Sequence, residues 1–261
     1  MSFTRNIIAS LALVGLAACA SGSSRPSKAT LTANEAALRS AGTIGDPGKV
    51  AAADIAFARA ARTEGQWTAF REFAAANALI HGDAGAIEAG SWLSGRSDPA
   101  QAVQWAPRAV FASCDGTLAV STGRFAEPGG LVGTYVTVWA PERSGEYKWI
   151  YDMGAPDDPQ PAPPPADDIP QGEDVILVEA LDAIEGKVAD CTRRNGEEGG
   201  ERPPAPPQAM VPGDNGGTSR DGTMRWSWEQ RADGSRRVIV RYLRDGAWQV
   251  PVDFEATPRG G

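Results

Sequence analysis

The sequence predicts an α+β fold, and three observations predict it. Helical spacing is concentrated between Asp46 and Gly95, with a weaker short helix around Asn34–Ser40. From Trp105 onward the apolar period becomes two, and tight-turn dipeptides separate the alternating runs. Helices first and antiparallel strands afterwards is the order expected when the two kinds of element are segregated.

The helices come first. Asp46-Pro47 reads as a start, with a carboxylate cap and proline at the first helical position. Lys49–Arg62 follows with Val50, Ala53, Phe57 and Ala61 at helical spacing, and Gly65 ends it. A second helix is predicted over Gln66–Ala76, with Trp67, Phe70, Phe73 and Ala74 on one side. Ala78–His81 is a short apolar run, and Ile87–Leu93 a third short helix closed by Gly95. Strands are expected at Trp105–Ser113 and Leu118–Phe125, joined by the hairpin dipeptide Asp115-Gly116.

The strongest hairpin is Gly133–Gly154, which alternates on both sides of a Pro-Glu-Arg-Ser-Gly loop. With Ala140 opposite Glu146, one face carries Tyr135 opposite Tyr151, Thr137 opposite Trp149, and Trp139 opposite Tyr147. The other face then carries Val136 opposite Ile150 and Thr134 opposite Asp152. A slip of two residues leaves these faces unchanged, while a slip of one exchanges them.

The last segment is the clearest β-pattern. Asp233-Gly234 and Asp245-Gly246 separate three alternating runs within residues 223–256. Pairing Trp228 with Val238, and Tyr242 with Trp248, puts Met224, Trp226, Val240, Val250, Val252 and Phe254 on the same face. Such a three-stranded meander needs a partner for that face. Two partners are open, the strands expected over residues 173–192 or the outer face of the Gly133–Gly154 sheet. Residues 157–172 read as a Pro-rich linker, and residues 193–222 as a second, disordered one.

Composition excludes several functions. The net charge is −8 without a basic cluster, so nucleic acid is not expected as a partner. One histidine, His81, and three cysteines, Cys19, Cys114 and Cys191, cannot build a Cys/His zinc site of the usual spacing. Neither a GxSxG elbow, a P-loop, a GxGxxG turn, an HExxH helix nor an EF-hand loop is present, and no cofactor or metal is expected.

Residues 1–18 read as a signal peptide. Met1–Arg5 supplies the positive end, and Ile7–Leu16 an apolar run too short to span a bilayer. Leu16-Ala17-Ala18-Cys19 resembles the lipobox of bacterial lipoproteins. The resemblance implies cleavage before Cys19 and lipid on its sulfur and amine, which anchors a protein firmly. Ala20 and Ser21, where some lipoproteins have Asp, imply export to the periplasmic face of the outer membrane. Residues 19–45 then form a tether. Cys114 and Cys191 remain in an oxidising compartment, where they are either bridged or buried thiols.

Residues 46–156 carry a further likeness. The helix pair, the apolar turn, the short Trp-Leu helix, Ser121–Phe125 (STGRF) and Lys148–Gly154 (KWIYDMG) resemble the nuclear transport factor 2-like, or SnoaL-like, superfamily. The resemblance implies helices packed in a strongly bent antiparallel sheet, a cone with a pocket at its open end. It also implies, as one arrangement, a homodimer through the open sheet face. The family contains isomerases, cyclases, dehydratases and non-catalytic members, so the fold alone selects no activity.

Two side chains are candidates for proton transfer. His81 is the sole imidazole. Asp152, if buried in a cone pocket, would have a raised pKa and act as a base, as in isomerases of the resembled superfamily. Asp54 and Glu72 read as solvated helix faces. Trp67, Phe70, Trp92, Tyr135, Trp139, Trp149 and Tyr151 are candidate walls of an apolar pocket, and aromatics in this pattern also serve as plain core. The reading that follows is an envelope lipoprotein, held to the membrane through Cys19, that binds a small hydrophobic ligand or a partner protein without catalysis. The alternative is a SnoaL-like isomerase or hydrolyase with Asp152 or His81 as general base.

Overall fold

A computed structural model describes residues 45–162, 183–191 and 215–258. The expected signal peptide, the lipid anchor Cys19, nearly all of the tether, and most of the two expected linkers lie outside the described residues.

Helix α1 (Pro47–Thr63) starts where the sequence predicts, with the Asp46 carboxylate accepting from the Gly48 and Lys49 amides. Helix α2 (Gln66–Phe73) begins at Gly65, which has no side chain to cap it. Asp98 caps it from a distance, accepting from the amides of Trp67 at 2.5 Å and Thr68 at 3.0 Å. Strands β1 (Ala74–Gly82) and β2 (Gly85–Glu88) follow, then helix α3 (Ala89–Ser94). Among the described residues, seven of eleven strands form one sheet, in the order β2-β1-β6-β5-β4-β3-β7. Its remaining members are β3 (Gln104–Ala112), β4 (Ala119–Ala126), β5 (Val132–Pro141), β6 (Tyr147–Pro156) and β7 (Glu185–Val188). The other sheet has the order β11-β10-β9-β8 and contains β8 (Gly216–Thr218), β9 (Met224–Gln230), β10 (Arg236–Arg244) and β11 (Ala247–Ala256).

This architecture overturns the expected fold class. Strands hold 49% of the described residues and helices 18%, so the protein is mostly β, not helices packed in a bent antiparallel sheet. The large sheet is mixed, because β1 runs parallel to β6 and β7 parallel to β3. Three segments account for the difference. Residues 74–88 are rich in alanine and carry only Ile80 and Ile87 as β-branched residues, yet become β1 and β2, with β1 beside β6, a tertiary override of weak local preference. Glu185–Val188, within the strands expected over residues 173–192, becomes β7 and runs parallel to β3. Gly216–Thr218, read as part of the disordered linker, pairs with β9 as a fourth strand of the expected three-stranded meander.

Two cores flank the large sheet. On one side Val50, Phe57 and Leu93 from the helices meet Val110, Trp139 and Trp149. On the other, Val120, Val136, Val138, Tyr151 and Met153 meet Met224, Trp226, Val238, Val240 and Val252 of the second sheet. Of the two partners open to the meander, it takes the outer face of the Gly133–Gly154 sheet. Fully burying each such side chain stabilises the packed state by roughly 1.5–3 kcal/mol.

The sheets are also clasped by two copies of one turn. Ser113-Cys114-Asp115-Gly116-Thr117-Leu118 joins β3 to β4, and Ser219-Arg220-Asp221-Gly222-Thr223-Met224 joins β8 to β9. In each, the aspartate carboxylate accepts from the serine hydroxyl and from the threonine amide and hydroxyl. Each needs glycine at its fourth position, where φ is +68° at Gly116 and +74° at Gly222. The turns then hydrogen-bond reciprocally: the Asp115 amide donates to Asp221 at 2.8 Å, and the Asp221 amide to Asp115 at 3.0 Å. Beside this clasp Cys114 forms a disulfide with Cys191, with Cα atoms 5.0 Å apart.

Candidate functional site

The site follows from a change of register. Near the loop, β5 and β6 pair Trp139 with Trp149, two residues beyond the register predicted. One step further Val138 pairs with Tyr151, so Ile150 is an extra residue, a β-bulge. The bulge exchanges the faces of everything beyond it. Tyr151 turns toward the second sheet, and Asp152 comes to lie opposite Thr137, on the helix side. The expected pairings of Tyr135 with Tyr151 and of Asp152 with Thr134 are both corrected by the two-residue shift and this bulge together.

On the helix side lies a cavity of about 250 Å³. Its walls include Phe57 from α1, Trp67 and Phe70 from α2, Trp92 from α3, Trp105 from β3 and Tyr135 from β5, with Thr137 and Asp152 among its polar lining. The rings meet edge to face: the Trp67 and Trp92 centroids are 5.1 Å apart, and those of Phe57 and Trp105 4.8 Å. The Arg71 guanidinium donates to the Leu93 carbonyl at 2.9 Å and the Arg96 carbonyl at 3.2 Å, which fixes α2 against α3. The guanidinium of Arg96 lies 3.5 Å from the Trp92 ring centroid.

Asp152 is partly accessible from this cavity and accepts a hydrogen bond from the Thr137 hydroxyl at 2.6 Å. Burial pushes its pKa up to about 7; the Thr137 bond opposes the shift and the nearby Asp54 charge adds to it. Asp54 is fully buried, not on a solvated face as its sequence context suggested. Its two oxygens accept from Trp105 Nε1–H and from the Tyr135 hydroxyl, both at 2.9 Å. Burial raises the Asp54 pKa, and bonds from Ser121, Tyr135 and Trp105 oppose that rise. The same burial, with the Asp54 charge beside it, drives the Tyr135 hydroxyl far above the usual tyrosine range and keeps it a proton donor.

The candidates predicted from sequence therefore divide. Trp67, Phe70, Trp92, Tyr135 and Asp152 come together in the cavity lining. Trp139 and Trp149 are completely buried in the core of the helix side and do not line it. Tyr151 and His81 sit on the opposite face of the sheet. There His81 Nδ1 is 2.8 Å from the Tyr151 hydroxyl, and Nε2 is 2.8 Å from Gln230 Oε1. With both nitrogens engaged and burial lowering its pKa, His81 is a structural imidazole between the sheets. Glu72 is exposed.

Sequence reading missed Asp54, Phe57, Gln66, Trp105 and Thr137 as lining or support. For Asp54 a signal existed: it falls between Val50 and Phe57 on the apolar stripe of α1, where a carboxylate is anomalous. A larger cleft of about 740 Å³ runs between the sheets beside Arg236 and Asp157 and contains none of the predicted site residues. Among the described residues no group of His, Cys, Asp and Glu side chains is arranged to hold a metal ion. Comparison of the chain with protein-family models finds no match, and comparison with curated proteins finds no relative.

Proposed function

We propose that the chain is an exported lipoprotein whose large sheet carries a binding site for a small hydrophobic molecule, with no chemistry performed on it. The observation that carries this reading is the 250 Å³ cavity walled by Trp67, Phe70, Trp92 and Trp105. Apolar walls with a few convergent polar groups are the usual composition of a small-molecule site. Export and anchoring rest on Met1–Arg5, Ile7–Leu16 and the Leu-Ala-Ala-Cys run ending at Cys19. Among the described residues no helix is long and apolar enough to cross a membrane. The likeness of Ser121–Phe125 and Lys148–Gly154 to nuclear transport factor 2-like domains is kept as part of this reading.

Binding is tested by titrating apolar ligands against the tryptophan fluorescence of the folded protein. Saturable quenching that Trp92→Ala weakens supports the site; quenching unchanged by that substitution counts against it. Palmitate labelling of cells expressing the chain, with Cys19→Ala as control, tests the anchor.

A second reading is favoured by one observation. Burial brings Asp152 to about pH 7, where a carboxyl can accept and return a proton under neutral conditions. An isomerase or hydrolyase built on this site would use Asp152 as base, without His81. Its signature would be solvent deuterium entering a bound ligand, abolished by Asp152→Asn.

A further inference from the structure

We infer that the cavity takes a small apolar amine, bound as its ammonium, with the charge at Asp152 and the apolar body against Trp67, Trp92 and Trp105. This rests on the ligand-binding reading and adds the chemical class of the ligand.

The first argument is charge. Among the described residues the lining contains two carboxyl side chains, Glu127 and Asp152, and no lysine, arginine or histidine. Behind this wall stands Asp54, whose oxygens are taken by Tyr135 and Trp105. No basic side chain among the described residues forms an ion pair with Asp152. An anionic ligand would add repulsion, and a neutral one would leave a desolvated carboxylate uncompensated. An ammonium offsets that cost by pairing with it.

The second argument is hydrogen-bond capacity. Ionised Asp152 accepts at two oxygens, and Thr137 reaches only Oδ1. No donor among the described residues reaches Oδ2. A group with several N–H donors fits that vacancy, and a charged one makes the stronger bond.

The third argument is the walls. Aromatic faces attract cations through their quadrupoles. The volume of 250 Å³ holds about eight non-hydrogen atoms, at the ~30 Å³ each water takes in the liquid. That is the size of an arylalkyl amine such as benzylamine.

Several groups face Asp152 and govern how binding responds to pH. They are Asp54 from α1, Thr137 and Tyr135 from β5, and Glu127 in the lining; Arg96 stacks on Trp92 outside the lining. Tyr135 stays neutral throughout, so the carboxyls dominate the response. The ammonium binds the ionised form of Asp152, which is lost as pH falls.

The test is calorimetric titration of the folded protein with benzylamine and 2-phenylethylamine, each beside the alcohol of the same skeleton, at pH 8 and pH 5.5. The expected result is that the amines bind about tenfold more tightly than the alcohols at pH 8. The preference disappears at pH 5.5 and in Asp152→Asn, which still binds the alcohols and so reports an intact cavity. Alcohols binding as tightly as amines at pH 8 overturn the amine assignment and leave the cavity a binding site. Failure of every amine and alcohol to bind at millimolar concentration overturns the binding reading itself.

Discussion

The Thr137 hydroxyl donates to Asp152 at 2.6 Å across the β5–β6 pair, and the bond exists because Ile150 is bulged out of register. Without the bulge Asp152 would lie opposite Val136 and face the second sheet, away from Thr137. A single inserted residue thus converts a core-facing position into a cavity carboxyl.

Asp152 sets a pH dependence of stability. Its pKa is about 7 in the folded chain, above its ordinary value, so the folded state holds a proton that the unfolded state has released. Stability from this group is full below pH 4 and is lost as pH rises toward 7. Asp152→Asn should therefore raise stability at pH 8 by roughly 2–4 kcal/mol and flatten the slope between pH 4 and 7. Thermal unfolding at pH 5 and pH 8 measures both effects; an unchanged slope in the variant contradicts the assignment.

His81 imposes the opposite slope. Burial lowers its pKa, so the folded state resists taking a proton, and stability is present above the ordinary histidine value and lost as pH falls below it. His81→Asn should remove this acid-side loss. It should leave ligand affinity at the cavity unchanged, because His81 faces the other sheet. A change in ligand affinity without a loss of folding would place His81 in the site after all.

Tyr135→Phe removes one of the donors to a fully buried carboxylate. The expected cost is about 1–3 kcal/mol in urea unfolding at pH 7, from a desolvated acceptor left short of a partner. The double variant Tyr135→Phe with Asp54→Asn should cost less than the sum of the two single changes.

Reduction of the Cys114–Cys191 bridge should destabilise the chain by about 2–5 kcal/mol, since it closes a loop of 77 residues. The clasp persists through Asp115 and Asp221, so the reduced protein should still unfold in one transition. Asp221→Ala in the reduced protein should separate the sheets, seen as a second transition.

Much of the chain was legible, and the failures have physical reasons. The start of α1 could be read because a cap and a proline are local chemistry, satisfied within four residues. The runs around Asp115-Gly116 and Asp233-Gly234 could be read because hairpins are local too. Bulges could not. Ile150 interrupts one alternation, and the step between Val240–Val252 and Tyr242–Gln249 interrupts another, turning Trp248 and Val250 away from the face assigned to them. A bulge is a property of two strands together, and neither strand's pattern contains it. The parallel pairings of β1 and β7 could not be read for the same reason, since each joins residues far apart in the chain. In the candidate site, Trp67, Phe70, Trp92, Tyr135 and Asp152 stood out by residue type. Trp105 acquires its meaning only beside Asp54, whose place on the apolar stripe of α1 is the one local sign of it.

The second sheet covers the face of β3–β6 that lies away from the helices. The apolar side chains of that face are buried by Met224, Trp226, Val238 and Val240 of the same chain. The association is unimolecular, so it surrenders no translational freedom of a separate molecule and ignores dilution. The cavity lies across the sheet from that contact, so the helices and the second sheet do not compete for one face.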